Sequence, residues 1–332
     1  MEIFRIFPHI VIQPLRLAIS GQTAKRRDNM QKTNCYYPEG MCYSQPIDPS
    51  RALSEGTIHQ AVAVRCNARH DLTIDLGDQL GFMPREECAL GIDSGKTREI
   101  AILSRVGRPV CFKVLRIEDD RVILSRRAAQ REALDYFMTL TPGDVIPARV
   151  THLEPFGAFV DIGCGVISLI GIENISVSRI SHPSERFAVG QDIYAAVLYQ
   201  EPELERLTLT HRELLGTWAQ NAALFSPGET VCGIVRSVED YGVFIELAPN
   251  LSGLAEKRFH VMAGQQVSCF IKSILPERMK IKLNLIEPLD QPPIMPTPLS
   301  YFIDHGHLDR WMYSPECCTQ RMIGTDFTVY QE

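Results

Sequence analysis

A duplicated pair of short motifs constrains the fold of this chain more than any other feature. The first copy combines the turn Pro142-Gly143-Asp144-Val145 with the run Phe156-Gly157-Ala158-Phe159. Both motifs recur 85 residues later, as Pro227-Gly228-Glu229-Thr230 and Tyr241-Gly242-Val243-Phe244. Because two separate motifs rarely share one offset by chance, the sequence predicts a repeated structural unit.

The residues that follow the first turn alternate in character, with Ile146, Ala148 and Val150 as the apolar set. A period of two is the period of a β-strand. The glycine between each first aromatic residue and the small residue suits a bulge or a tight strand bend. Two rings three residues apart beside such a bend can lie on one exposed patch. Alternatively, one ring of each pair fills the core.

These motifs resemble those of the S-one (S1) RNA-binding domain family, over residues 143–211 and 228–285. In the first of these ranges the matching residues are Gly143-Asp144-Val145, Phe156-Gly157-Ala158-Phe159-Val160-Asp161-Ile162-Gly163, Asn174-Ile175-Ser176, Val189-Gly190-Gln191-Asp192-Ile193 and Leu207-Thr208-Leu209-Thr210. The family fold is a five-stranded OB barrel that binds nucleic acid. The resemblance therefore implies an RNA-binding module that occurs at least twice.

A divergent third copy precedes these two. Asp75-Leu76-Gly77 lies 86 residues before Asp161-Ile162-Gly163, and a strand-like run follows each motif at a similar distance. Asp71 and Leu72 stand where the other copies carry an aromatic residue and glycine. We therefore expect this repeat to be structural, or else to bind through Arg65, Arg69 and His70. The predicted fold class is mainly β, with three tandem five-stranded OB-fold barrels joined by short helices.

The resemblance implies that aromatic rings stack on RNA bases while basic side chains contact phosphates. In the second repeat the candidate RNA-binding residues are Phe156, Phe159, Arg149, Arg206 and Arg212. In the third repeat they are Tyr241, Phe244, Arg236, Lys272, Lys280 and Lys282. Lys282 matches the basic position on the family's last strand, where the second repeat has Thr208, so Arg206 or Arg212 would have to substitute there.

Composition and motif spacing divide the chain further. The expected segments are a poorly ordered leader (1–54), the divergent first repeat (55–127), a helical linker (128–142), the second repeat (143–213), a second helical linker (214–227), the third repeat (228–287) and a Pro-rich linker with a C-terminal tail (288–332). We expect both helical linkers to be solvated, so that the barrels resemble beads on a string.

No set of residues in the sequence predicts catalysis, because neither a paired acidic cluster with metal spacing nor a supported Ser-His-Asp set is present. The tail carries His305, His307, Cys317 and Cys318. Adjacent cysteines rarely ligate one zinc ion, so we expect no metal and no cofactor. Trp311 and Tyr313 are instead expected to dock on the last barrel.

Net charge and cysteine usage limit the partners and the compartment. The net charge of −6 argues against strong, sequence-independent binding to duplex DNA. Ten scattered cysteines indicate reduced thiols in a cytoplasm. We expect a cytoplasmic, monomeric, non-catalytic protein that binds single-stranded RNA (mRNA) without a membrane, with the small ribosomal subunit as a further partner. The alternative is an accessory subunit or scaffold of an RNA-processing enzyme, in which the barrels make protein contacts.

Overall fold

Three closed barrels of five strands each follow one another along the chain. The computed structural model describes residues 36–42, 46–119, 121–257 and 260–330. In each barrel the first strand pairs with the second and fourth strands, and the third strand runs parallel to the fifth. The predicted fold class, mainly β with three five-stranded barrels, is confirmed.

The strands have the following bounds. Barrel 1 contains β1 (His59–Cys66), β2 (Leu72–Asp75), β3 (Leu80–Met83), β4 (Pro109–Glu118) and β5 (Arg121–Ser125). Barrel 2 contains β6 (Val145–Glu154), β7 (Gly157–Gly163), β8 (Val166–Gly171), β9 (Asp192–Glu201) and β10 (Arg206–Thr210). Barrel 3 contains β11 (Thr230–Glu239), β12 (Gly242–Ala248), β13 (Leu251–Ala255), β14 (Gln266–Leu275) and β15 (Lys280–Pro288).

The remaining elements connect or cover the barrels. The α-helices are α1 (Pro49–Glu55), α2 (Ile100–Leu103), α3 (Arg126–Phe137) and α4 (Trp218–Ala222). A two-stranded sheet in the tail consists of β16 (Arg310–Met312) and β17 (Gly324–Asp326). Short 3-10 turns occur at Arg85–Glu87, Ile172–Asn174, Pro183–Glu185, Pro202–Leu204, Arg212–Leu215, Pro276–Arg278 and Phe327–Tyr330.

Strand β6 illustrates how the alternating sequence forms a barrel wall. Ile146, Ala148 and Val150 point into the core, and the residues between them are only half-buried. Gly157 opens β7 where that strand approaches β8 closely, because a Cβ at this position would lie 2.5 Å from the carbonyl oxygen of Ile170. A larger residue would push the two strands apart, so the glycine in the repeated motif has a steric cause.

Helix α3 differs from the solvated linker that the sequence suggested for residues 128–142. Its N-cap is Ser125, whose hydroxyl accepts a hydrogen bond from the backbone N–H of Ala128 at 2.8 Å. Its buried face, which includes Ala129, Ala133 and Phe137, belongs to the hydrophobic core of barrel 2. The helix connects barrels 1 and 2 as the sequence predicted, but it is not solvated, because its apolar stripe at helical spacing is part of that core.

The predicted poorly ordered leader needs a similar correction for its described part; residues 1–35 lie outside the described residues. The carboxylate of Glu39 is buried and accepts hydrogen bonds from Arg126 Nε at 2.6 Å and Nη2 at 3.0 Å. Its backbone N–H donates to Asp161 Oδ2 at 2.8 Å. Because Asp161 lies on β7 and Arg126 begins α3, Glu39 joins the segment around it to barrel 2 and to the helix.

The tail covers barrels 2 and 3 instead of extending from them. Trp311 and Tyr313 pack into the hydrophobic cluster of barrel 3, and Phe327 is buried against β9. The hydroxyl of Tyr301 lies 2.9 Å from Nε2 of His211, and the other ring nitrogen of His211 lies 2.8 Å from the carbonyl oxygen of Ile175. The tail is thus tied to barrel 2 through a buried histidine.

Acid is expected to weaken this attachment. Burial lowers the pKa of His211 to about 4, whereas the unfolded chain would titrate near about 6.5. The unfolded state therefore binds the proton first, and stability falls as the pH drops from about 6.5 towards about 4, by up to about 3 kcal/mol. Urea unfolding of the native chain at pH 7 and pH 4.5 measures this loss, and the same pair of measurements on His211→Gln should show a smaller one. Equal acid sensitivity in both proteins would contradict the assignment.

Candidate nucleic-acid interface

The first aromatic pair lies on the outer surface of barrel 2. Ala158 and Val160 point into the core, so Phe159 between them points outwards and is half-buried. Phe156, in the turn before β7, is 56% exposed. The two ring centroids are 5.9 Å apart with an interplanar angle of 89°, an edge-to-face arrangement. The face of Phe156 thus remains open to solvent.

Barrel 3 repeats this geometry. Val243 and Ile245 are buried, Phe244 between them is half-buried and points outwards, and Tyr241 is 71% exposed. The Tyr241 and Phe244 centroids are 6.1 Å apart at an interplanar angle of 88°. We call the pair Phe156 and Phe159 platform 2, and the pair Tyr241 and Phe244 platform 3. Neither platform contributes a ring to its barrel core, so the core alternative for these residues is wrong.

Lysines flank platform 3 on the outer surface. The strand register places Phe244 opposite Leu254, and Leu254 beside Lys282, so these three residues form one outward row across β12, β13 and β15. Lys272 and Lys280 are also exposed. In the described part of the chain, none of the three lysines lies within ion-pair distance of a carboxylate. They are therefore available to a phosphate near the rings.

The corresponding row of barrel 2 has a different composition. It runs from Phe159 through Leu169 to Thr208, which stands where barrel 3 has Lys282. Arg206, two residues before Thr208 on β10, is exposed and remains a candidate. Arg212 does not, because its guanidinium donates to Glu213 Oε1 at 3.1 Å and to the hydroxyl of Thr325 at 3.2 Å.

Two further arginines are corrections to the sequence-based site. Arg149 forms a bidentate pair with Asp192, with N–O distances of 2.6 and 3.0 Å, and also donates to the carbonyl of Glu39 at 2.9 Å. The hydrogen bond that Arg149 donates to Asp192 raises the pKa of Arg149. A phosphate would have to displace a matched carboxylate, so Arg149 holds the protein together instead of contacting RNA.

The side chain of Arg236 lies where barrels 2 and 3 meet and is only 8% exposed. Its Nε and Nη2 donate to the carboxylate of Glu246 at 2.7 and 3.0 Å, and its third nitrogen pairs with Glu185. Arg186 binds the same Glu246 carboxylate from the barrel 2 side. The result is a buried network of two arginines and two glutamates. The position of Arg236 on the first strand suggested a phosphate contact, but the side chain serves the contact between the barrels.

Sequence reasoning missed two residues near the aromatic surfaces. His152 lies over Phe159, with ring centroids 6.3 Å apart and an interplanar angle of 30°. Strand period alone would place His152, two residues after the buried Val150, in the core. A shift in strand register between these residues turns it outwards, so the sequence carried no signal for it. In barrel 1, which lacks a ring pair, the guanidinium of Arg121 lies 5.3 Å from the centroid of Phe82. Leu72, at the position of the missing glycine, is fully buried.

The tail histidines and cysteines do not form a common cluster. His307 Nδ1 lies 2.7 Å from Asp144 Oδ1, and Cys318 is buried with its sulfur 3.7 Å from the carbonyl of Arg321. Within the described ranges, no group of three or more His, Cys, Asp or Glu side chains could hold a metal ion. Among the same residues, no helix is long and apolar enough to cross a membrane.

Comparison with known proteins gives one matching family and several relatives. The family model described as the S1 RNA binding domain matches residues 139–212, which include all of barrel 2. Small ribosomal subunit protein bS1 of Rhizobium meliloti (strain 1021) is 27% identical over 82% of this chain and 48% of its own length. The protein of the same name from Staphylococcus aureus (strain COL) is 30% identical over 64% of this chain and 58% of its own length. The chain thus spans about half the length of these curated relatives.

Among solved structures, a multidomain protein with nucleic acid binding domains from Streptococcus pneumoniae TIGR4 is similar to this chain over 70% of its residues and 74% of that protein. The sequence identity is 14% and the TM-score is 0.24, a value too low to carry an inference. Barrel 2 thus matches the S1 RNA binding domain, and the chain is similar to small ribosomal subunit proteins bS1 over 64% and 82% of its length.

Proposed function

We propose that this chain is a non-catalytic single-stranded RNA-binding protein that stacks bases on platforms 2 and 3. The observation that carries the proposal is the pair of edge-to-face ring sets at equivalent places on two barrels, each with one ring well exposed. An exposed ring of this kind offers a flat apolar face that any base can cover. The matched S1 RNA-binding domain, which contains platform 2, supports the same conclusion.

Stacking supplies the main part of the affinity in this proposal. Each stacked base contributes about 1–3 kcal/mol, and a modest charge contribution completes micromolar binding. A net charge of −6 is consistent with such a balance, because the basic groups are few and local. Lys272, Lys280 and Lys282 supply the phosphate contacts on barrel 3, and Arg206 supplies one on barrel 2.

Platform 3 is the stronger of the two in this account. Its three flanking lysines have no carboxylate partner among the described residues. On barrel 2, His152 Nε2 lies 2.7 Å from Glu154, and the turn after β9 carries Glu203 and Glu205. These carboxylates repel phosphate, so RNA bound at platform 2 depends more on its rings.

The wider role follows from the relatives. Their printed name is that of a small ribosomal subunit protein, and we infer that this chain acts in translation or RNA metabolism with mRNA as its ligand. Association with the small ribosomal subunit, a cytoplasmic location and a monomeric state belong to the same proposal. Because the chain spans about half of each relative, these partners are inferred from part of their length.

A salt titration tests the balance between stacking and charge. For single strands, the logarithm of affinity falls with the logarithm of salt concentration at about 0.7 per contacted phosphate. We expect a shallow slope and a salt-insensitive remainder from the rings, measured by fluorescence anisotropy with oligouridine. Lys280→Gln should lower the slope by about 0.7, whereas Lys96→Gln, a surface lysine on barrel 1, should leave it unchanged. Binding that disappears entirely at moderate salt would mean that the rings are not used.

A further inference from the structure

Among the residues that the structure describes, barrel 1 has an uncovered apolar surface beside helix α2. Ile100 is 65% exposed and Leu103 is 43% exposed. They lie three residues apart on one helical turn, so their side chains share a face. Val106 forms a bridge with Ala63 of β1, and the next residue of that strand, Val64, is exposed like Val106. We call Ile100, Leu103, Val106 and Val64 the α2 surface.

Barrel 2 contains the equivalent segment, and there it is covered. The N–H of Gly107 donates to the carbonyl of Ala63, and the N–H of Gly190 donates to the carbonyl of Val150, both at 2.7 Å, so the two Val-Gly turns occupy equivalent places. Ile100 and Leu103 lie seven and four residues before Gly107. The residues seven and four positions before Gly190 in barrel 2 are Pro183 and Arg186, and both are buried.

Two elements cover that part of barrel 2. Glu246 of barrel 3 binds the guanidinium of Arg186. The extended tail donates the N–H of Thr297 to the carbonyl of Glu185 at 3.0 Å. In barrel 2 this segment is covered by a carboxylate of barrel 3 and by the extended tail. Within the part of the chain that the structure describes, the equivalent segment of barrel 1 is uncovered.

The charge around the α2 surface indicates what would cover it. Lys96, Arg98 and Arg108 are exposed, and none has a carboxylate within ion-pair distance among the described residues. The nearby Glu99 is already engaged by Arg85 and by His70 at 2.8 Å. Residues 1–35 carry six lysines and arginines against two acidic residues, so their charge does not match this rim.

We propose that the α2 surface docks an acidic, amphipathic segment of another protein. Apolar side chains of that segment would cover Ile100 and Leu103, while its carboxylates would pair with Arg98 and Arg108. Barrel 1 has no aromatic pair of the kind found in platforms 2 and 3, which disfavours RNA as the occupant. Its single helical turn is too short to lie in a membrane interface as an amphipathic helix. Barrel 1 thus binds protein, and barrels 2 and 3 bind RNA.

A defined peptide probe tests this proposal on the full chain. The probe is a fluorescein-labelled peptide of about twelve residues in which leucine and glutamate alternate, a length and period that suit an extended segment. Anisotropy should show saturable binding that weakens with salt. Leu103→Ser should weaken it at least about fivefold, the value expected because only the exposed 43% of this leucine becomes buried on binding. Leu204→Ser, which changes an exposed leucine on barrel 2, is the matched control and should have no effect.

Four results would overturn the proposal. The first is that the acidic peptide does not bind, or binds no better than a peptide with lysine in place of glutamate. The second is that Leu103→Ser and Leu204→Ser bind the peptide with equal affinity. The third is that oligouridine displaces the peptide, and the fourth is that sedimentation shows self-association of the native chain that Leu103→Ser loses. The third would assign the surface to nucleic acid and the fourth to a second copy of the chain. The RNA affinity of Leu103→Ser should stay within about twofold of the native value. This measurement distinguishes failure of the peptide-docking proposal from failure of the RNA-binding proposal.

Discussion

Replacing Glu246 by alanine is expected to lower the free energy of unfolding by about 3–5 kcal/mol. The carboxylate is buried between barrels 2 and 3, where it accepts hydrogen bonds from Arg236 at 2.7 and 3.0 Å and also binds Arg186. Removing it leaves two buried guanidinium groups with Glu185 as their one remaining carboxylate in the described network. Burial lowers the pKa of Arg186, and the charge of Glu246 opposes that shift.

Urea unfolding of the native chain and of Glu246→Ala measures this effect. Glu239→Ala, an exposed residue of the neighbouring strand β11, is the matched control and should change stability by less than about 0.5 kcal/mol. A loss below about 1 kcal/mol in Glu246→Ala would mean that the two barrels do not depend on the network. The barrels would then behave as the beads on a string that the sequence suggested.

The second large effect concerns RNA. A chain carrying both Phe156→Ala and Tyr241→Ala should lose about 2–6 kcal/mol of affinity for single-stranded RNA, because each ring contributes about 1–3 kcal/mol. The two losses should add, since the rings lie on separate barrels and share no contact. Tyr136→Ala removes an exposed ring on α3, outside both platforms, and should leave affinity within about twofold. Equal losses in the control and the double variant would show that the platforms have no special role.

The barrels could be predicted from the sequence because their signals are local. Strand alternation in β6 and the glycine beside each aromatic pair are readable within ten residues, and the 85-residue repeat extends them to a second copy. The role of helix α3 could not be predicted in the same way. Its apolar stripe was visible, but its partners, including Cys111 of barrel 1 and the core of barrel 2, are distant in the chain.

The candidate site also contains residues that could be predicted from local sequence and residues whose role depends on distant partners. Outward placement of Phe159 and Phe244 follows from strand period, so both platforms were accessible to sequence reasoning. The role of each arginine could not be predicted in this way. Arg149 is neutralised by Asp192, 43 residues away, and Glu39 reaches Asp161 across 122 residues. A single sequence does not show which carboxylate a cation will meet, because such pairs depend on how the barrels pack.

Parallel measurement of RNA affinity and unfolding free energy on Tyr241→Ala tests the central claim most directly. If the ring is a stacking platform, affinity for oligouridine falls by about 1–3 kcal/mol and stability changes by less than about 0.5 kcal/mol. If the ring is instead part of the packing, stability falls by about 3–5 kcal/mol. Full RNA affinity in both Tyr241→Ala and Phe156→Ala would contradict the account, and the barrels would then serve as scaffolds for protein contacts.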